Sequence, residues 1–187
     1  SIHSAKKSKF ITDIIVSTDS PKIKKIAKKY GVDTPFLRPT KYSGDNSPTI
    51  DCVLDILKKV NLYDYIILLQ PTSPFRTVKD IDDLIKFTLN KKIDSCASIS
   101  NVTQHPESMY RLKKHKIISR FKLNNKKNIR QKYDKLYYVN GSIYFCKTEW
   151  LIKNKKFINS DTYGYLIPEL NSLDIDNYHD LEVAKNF

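Results

Sequence analysis

Two carboxylates stand one residue apart near the end of the chain, at Asp174-Ile175-Asp176. On an extended segment residues i and i+2 share a face, so both can turn to one cation while Ile175 points into the core. Hard oxygen ligands of this kind suit Mg2+ held together with the phosphates of a substrate. A plainer role is open at the same place, because Asp176 directly precedes a helix signal and can cap it. A second cluster follows the apolar run Tyr65–Leu69: Gln70-Pro-Thr72-Ser73-Pro-Phe-Arg76. A short Ile/Leu run reads as a buried strand of a parallel sheet, and two prolines that cannot donate ladder hydrogen bonds end it. Gln70, Thr72, Ser73 and Arg76 then lie beyond the carboxyl end of a central strand, where open α/β sheets bind ligands. An ordinary strand-to-helix loop, its Ser and Thr satisfying backbone groups, accounts for the same residues.

The segments that must position these groups alternate between strand and helix patterns, the mark of an α/β fold. Ile14–Ser17 reads as a strand, and Ser20-Pro21 opens a helix whose stripe is Ile23, Ile26, Ala27 and Tyr30, stopped by Gly31. Phe36-Leu37 reads as a short strand ahead of Arg38. Ser47-Pro48 repeats the helix-start signal before Ile50, Val53, Leu54 and Leu57. Both stripes read as core. Thr77 with Asp80 predicts a capping box, with Ile81, Leu84 and Ile85 as the buried face behind it. Ser95–Ser100 is a further strand. Met109–Leu112 and Lys116–Phe121 pair across a turn at Lys113-Lys114-His115, and the polar stretch Asn124–Lys135 leaves the main sheet. Tyr137–Phe145 returns as a strand, and Gly141 inside it marks a bulge or a close backbone approach. Asn177 with Asp180 caps the last helix, whose Leu181, Val183 and Ala184 are expected to dock on the sheet. The result is one domain, residues 1–187, with an excursion at 103–135.

A chain of 187 residues with 40% hydrophobic content fits one full core. No apolar stretch approaches the roughly 20 residues of a membrane span, and Ser1–Phe10 has no apolar segment of a signal peptide. Cys52, Cys96 and Cys146 are odd in number and far apart, and His3, His105, His115 and His179 lack metal-ligand spacing. A disulfide framework and a structural zinc are disfavoured, and a reducing cytoplasm is the expected setting. The formal net charge of +13 invites a nucleic-acid partner, but the lysines are spread along the chain with no recognised binding module. Solvated helix faces account for most of that charge.

Five stretches resemble, in order and spacing, the landmarks of the acylneuraminate cytidylyltransferases, which make CMP-sialic acids. They are Ile14-Ile-Val-Ser-Thr-Asp-Ser20, Leu37-Arg-Pro39, Leu68-Leu-Gln-Pro-Thr-Ser-Pro-Phe-Arg76, Asn140-Gly-Ser-Ile-Tyr144 and Ser172-Leu-Asp-Ile-Asp176. The resemblance implies a three-layer, mostly parallel α/β sheet flanked by helices, of the Rossmann-like nucleotide-diphospho-sugar transferase kind. It implies Mg2+-dependent transfer of a cytidylyl group from CTP to an acidic nine-carbon keto sugar, for surface glycan synthesis. Legionaminic, pseudaminic or deoxyoctulosonic acid are alternative acceptors, and an inactive basic binding module is the alternative of another class.

By the same resemblance Asp174 and Asp176 hold the metal, while Arg38, Ser47, Thr49 and Asp19 face the nucleotide. Gln70 is catalytic and touches the sugar, as do Thr72, Ser73 and Tyr144, and Arg130 receives the sugar carboxylate. Some members place a second basic group after a His-Pro pair; here His105-Pro106 is followed by Glu107 and Ser108. The family opens with a strand and a Gly-rich phosphate loop, whereas this chain opens on Ser1-Ile-His-Ser, like the end of the following helix. It is therefore expected to be a fragment or a degenerate member, inactive by itself. The partners implied are CTP, the sugar and a second copy of the chain, paired through the excursion, with no nucleic acid and no membrane.

Overall fold

The apolar run Tyr65–Leu69 forms strand β1 and is unbroken because side chains on both of its faces are covered. Tyr65, Ile67 and Leu69 pack on a cluster of Ile81, Leu84, Ile143 and Phe145, while Ile66 and Leu68 pack on Val53, Cys146 and Leu151. A strand sandwiched in this way needs apolar residues at every position. The computed structural model describes residues 1–44, 46–60, 63–120 and 134–186, the side chains of Ile118 and Arg120 excepted.

The remaining elements are helices α1 (Ile2–Lys7), α2 (Pro21–Lys29), α3 (Thr49–Leu57), α4 (Val78–Asn90), α5 (Thr148–Asn154) and α6 (Tyr178–Ala184). The other strands are β2 (Ser95–Asn101), β3 (Tyr110–Lys113), β4 (Lys116–Arg120), β5 (Tyr137–Lys147) and β6 (Tyr163–Leu166). The main sheet has the order β1-β5-β2-β6. β5 is antiparallel to both β1 and β2, and β6 is parallel to β2, so three strands run one way and β5 alone is reversed. α4 covers one face; α3 and α5 cover the other through Val53 and Leu151. Three layers result, and the loops that follow β1, β2 and β6 all emerge at one end.

Local chemistry explains most of the boundaries. α4 begins in a capping box in which Thr77 Oγ1 accepts from Asp80 N and Asp80 Oδ2 accepts from Thr77 N. Asn177 and Asp180 do the same for α6, and Ser20 caps α2 ahead of Pro21. β3 and β4 form a separate hairpin. Its turn residues Lys114 and His115 both have positive φ, 46° and 67°, as a two-residue hairpin loop requires.

Several expectations are corrected. Ile14–Ser17 and Phe36-Leu37 form no strand, and Phe36 stands at a bend; the backbone bonds beside them run from Val16 N to Asp33 O and from Arg38 N to Thr18 O. β1 occupies an edge of the described sheet, not its centre. The α2 stripe is not core: Ala27 is buried, but Ile23, Ile26 and Tyr30 are 48%, 51% and 59% exposed. Ser47 does not cap α3; its Oγ donates to the Lys41 carbonyl, and Pro48 stands at the cap. α6 fully buries none of its residues: Leu181 is exposed, and Val183 and Ala184 are half-buried. Phe121, most of the stretch Asn124–Lys135 and Arg130 lie outside the described residues. Among the described residues no helix is long and apolar enough to cross a membrane.

Asn140 is the polar hub of β5, bonded to Ser98, Ser100 and Ser142 N. Asn140→Ala leaves Ser142 N without its Asn140 partner, while the Ser98 and Ser100 hydroxyls keep Ile143 and Ser172, and is expected to destabilise the fold by about 1–3 kcal/mol, the cost of one orphaned buried group. Urea unfolding measures this, and a loss below about 0.5 kcal/mol would remove Asn140 from the hub.

Candidate active site

The site is built where β5 departs from its ladder. Between the pairs Ala97–Tyr144 and Ile99–Val139, β2 has the single residue Ser98 while β5 has four, Asn140 to Ile143. The backbone groups this removes from pairing are taken up by side chains. Ser98 Oγ donates to Asn140 Oδ1 at 2.6 Å and accepts from Ile143 N at 2.8 Å. Asn140 Nδ2 donates to Ser100 Oγ at 2.8 Å, and Ser100 Oγ lies 2.8 Å from Ser172 Oγ. The bulge is thereby tied to the segment that carries the two aspartates.

Arg76 braces the same bulge from the β1 side. Its guanidinium is 2% exposed and donates to the Ser142 carbonyl and, at 3.2 Å, to the Gln70 carbonyl. Burial lowers its pKa to about 10, against a smaller opposing effect of Asp80, so it remains cationic at neutral pH. Arg76 is therefore a structural strut between the two loops, not a ligand contact. Gly141 sits in the bulge at φ +76°, and a Cβ there would stand 2.7 Å from Gln70 Oε1. The positive φ favours glycine, and the close approach places the Gln70 amide against the bulge.

A cleft of about 500 Å3 opens beyond these loops, at the carboxyl ends of β1, β2 and β6. Its lining includes Asn140, Gly141, Tyr144, Glu169, Asp174 and Asp176. The aspartate segment is held in place by Ile175 N, which donates to the Thr72 carbonyl at 2.9 Å, so the Gln70–Arg76 loop and the Asp174–Asp176 segment meet. Asp174 Oδ1 is buried without a hydrogen-bond partner. Asp176 is exposed and does not cap α6, because Asn177 does. The Tyr144 phenol has its pKa raised, first by burial and then by the charge of Asp174. Among the described residues no three His, Cys, Asp or Glu side chains gather closely enough to hold a metal alone. Burial pushes the Cys96 thiol up to about 11 and Cys146 to about 12, which disqualifies both as nucleophiles.

Of the residues expected at a site, Asp174, Asp176 and Tyr144 share the cleft, with Gln70 against Gly141 on its wall. Thr72 contributes its backbone carbonyl. Ser73 is fully buried with its hydroxyl unpaired, so it presents no group to the cleft. Arg38 belongs to a second cluster, bonded to Ser17, whose Oγ touches Cys52 Sγ in the first half of α3. Thr49, the first residue of α3, and Asp19 are exposed nearby in sequence, and Ser47 is turned to Lys41. Arg130 lies outside the described residues. Glu169, Thr103 and Tyr138 line the cleft without having been expected. Glu169 follows Pro168 in no motif, and Tyr138 falls among alternating strand residues, so neither carries a sequence signal.

Comparison with known proteins bears on this geometry. A protein-family model described as Cytidylyltransferase matches residues 1–167, ending short of Asp174. The chain is 32% identical over 172 residues to the CMP-N,N'-diacetyllegionaminic acid synthase of Legionella pneumophila, across 88% of this chain and 72% of that protein. It is 30% identical over 168 residues to an N-acylneuraminate cytidylyltransferase of Streptococcus agalactiae, across 90% of this chain but 40% of that protein's length. A solved CMP:2-keto-3-deoxy-manno-octonic acid synthetase complexed with CTP superposes with a TM-score of 0.69 over 99% of this chain and 84% of its own. At 14% identity that likeness speaks for the fold.

The influence of the Asp174 charge on Tyr144 is open to direct test. In Asp174→Asn the Tyr144 phenol should titrate at lower pH than in the parent, yet stay above an ordinary tyrosine because burial, the larger cause, persists. NMR of 13Cζ-labelled tyrosine follows it, and an unmoved titration would separate the two groups.

Proposed function

Because the chain belongs to the cytidylyltransferase family, we propose that it joins the cytidylyl group of CTP to a nine-carbon α-keto acid sugar related to sialic acid, releasing pyrophosphate. The observation that carries this reading is the cleft at the carboxyl ends of three strands, holding Asp174 with a buried unpaired oxygen beside Asp176. The reaction has the anomeric hydroxyl of the sugar attack the α-phosphate. Its O–P bond forms as the bond to pyrophosphate breaks, and the hydroxyl proton is lost. Such a transfer asks the protein mainly to align reactants and offset negative charge.

The donor set fits Mg2+. Two carboxylates alone do not make a closed cage, and Mg2+ characteristically completes its shell with phosphate oxygens and water. A buried carboxylate oxygen without a partner is costly, and a hard cation there would relieve it. Asp174 and Asp176 would hold the ion, which when bound supplies positive charge beside the α-phosphate. Gln70, fixed against Gly141, presents its amide to the sugar side, and the Tyr144 hydroxyl adds a donor from the cleft wall. Arg38, with Thr49 near it in sequence, serves the nucleotide side. Arg130 remains the candidate for the sugar carboxylate, as an arginine fork suits it.

A diacetamido sugar of the legionaminic kind is a second reading of the acceptor. It is favoured by the Legionella relative, whose length the chain spans to 72%. We also propose a homodimer. The β3–β4 hairpin presents Leu112 and Ile117, 67% and 66% exposed, with Met109 and Tyr110 beside them, an apolar surface of the kind that a second copy covers.

Two outcomes follow. Asp174→Asn and Asp176→Asn should each reduce Mg2+-dependent pyrophosphate release at least 100-fold while the melting temperature holds within a few degrees. Normal turnover in both variants would reject the metal assignment. Light scattering at micromolar concentration should give twice the chain mass, falling to one chain mass in Leu112→Glu/Ile117→Lys; a monomeric parent contradicts the dimer.

A further inference from the structure

Arg38 is gripped side-on by a single residue. Ser17 Oγ accepts from Arg38 Nε at 3.1 Å and the Ser17 carbonyl accepts from Nη2 at 2.6 Å. The Arg38 backbone N–H donates to the Thr18 carbonyl at 2.8 Å, so backbone and side chain of Arg38 are both anchored to the Ser17-Thr18 segment. The Ser17 hydroxyl is itself backed by Cys52 Sγ at 3.2 Å. Among the described residues no carboxylate pairs with Arg38. Of the five N–H groups of a guanidinium, two are spent on Ser17, and neither hydrogen of Nη1 has a partner among the described residues.

We propose that Ser17 is a positioning residue that presets Arg38 so that its free N–H edge reads the acceptor side of cytosine. The inference rests on the reading of Arg38 as a nucleotide contact. An unrestrained arginine has many rotamers to give up on binding, and one already held binds with less loss. The grip also fixes direction. With Nε and one Nη2 hydrogen turned back to Ser17, the remaining donors on Nη1 and Nη2 lie side by side in one plane. Cytosine offers two adjacent acceptors, O2 and N3, to such an edge. Uracil carries a hydrogen at N3 and would set donor against donor. A freely rotating arginine could sidestep that clash, whereas a fixed one cannot, so discrimination between the two bases depends on Ser17 and not on Arg38 alone. Cys52 contributes by holding the Ser17 hydroxyl from the α3 side.

Titration calorimetry with CTP and UTP separates the possibilities, applied to the parent chain, Ser17→Ala, Ser17→Thr and Arg38→Ala, each checked for an unchanged melting temperature. Ser17→Ala, which keeps the carbonyl contact to Nη2, should weaken CTP several-fold, the scale of one long side chain that must be ordered on binding. It should weaken UTP much less, lowering the CTP/UTP preference, and Ser17→Thr, which keeps the Oγ acceptor, should restore most of that preference. Arg38→Ala should weaken CTP at least as much as Ser17→Ala. If Arg38→Ala weakens CTP and Ser17→Ala does not, the positioning role is overturned while the nucleotide role of Arg38 stands. Equal weakening of CTP and UTP by Ser17→Ala, or failure of the threonine variant to restore preference, also overturns it. CTP binding untouched by Arg38→Ala removes the nucleotide reading and this proposal together, as does a parent chain that binds neither nucleotide.

Discussion

A strand that spends four residues opposite one must find new partners for every peptide group it takes out of the ladder, or leave them buried and unpaired. β5 does this at Asn140–Ile143 opposite Ser98, and the side chains that answer the demand are the ones that shape the cleft. Asn140 and Ser98 take up the inner groups, and Ser100 passes the network on to Ser172, which leads into Asp174. Arg76 takes up the Ser142 carbonyl and ties it to the Gln70 carbonyl. Gly141, at a φ that favours glycine, then faces the Gln70 amide. The positions of Gln70, Tyr144 and the aspartates are thus consequences of one irregularity in one strand, which is how bulges commonly re-aim side chains at functional sites.

Charge is distributed to a purpose that the net value hides. The chain carries +13, yet the described lining of the cleft holds Glu169, Asp174 and Asp176 and no lysine or arginine. A nucleotide and an acidic sugar are both anionic, so such a cleft is suited to them only with cations between the carboxylates and the substrates. The buried Arg76 is turned to the Ser142 and Gln70 carbonyls and the Ser142 and Ser1 hydroxyls, and Arg38 stands apart with Ser17. On the proposed reading Asp174, with its buried unpaired Oδ1, and Asp176 would hold such a cation.

The fold class was legible because the patterns that define it are local. The capping boxes at Thr77 and Asn177, the apolar run of β1 and the hairpin turn at Lys114-His115 each follow from a few adjacent residues. The misreadings share a different cause. The α2 stripe has helical spacing, but spacing does not say what covers it, and Ile23 and Ile26 face outward. Ser47-Pro48 looks like Ser20-Pro21, yet the Ser47 side chain turns back to the Lys41 carbonyl. At the site, Asp174-Ile175-Asp176 was readable from its period of two, and Gly141 from the rarity of glycine within a strand. Arg76 looked like a ligand residue because nothing in the sequence announces the Ser142 carbonyl, 66 residues away, that claims it. Glu169 has no motif, and only the return of the chain after β6 brings it to the cleft.

The most direct test of the account is whether the protein, carrying all of its natural sequence, makes a CMP-sugar. Incubated with Mg2+, CTP and a panel of nine-carbon keto acid sugars alongside deoxyoctulosonic acid, the reaction is followed by 31P NMR. The account predicts a phosphodiester resonance of a CMP-sugar and free pyrophosphate with at least one nine-carbon acid, and neither signal when Mg2+ is chelated. Absence of both products with every sugar, from a folded protein carrying all of its natural sequence, would contradict it.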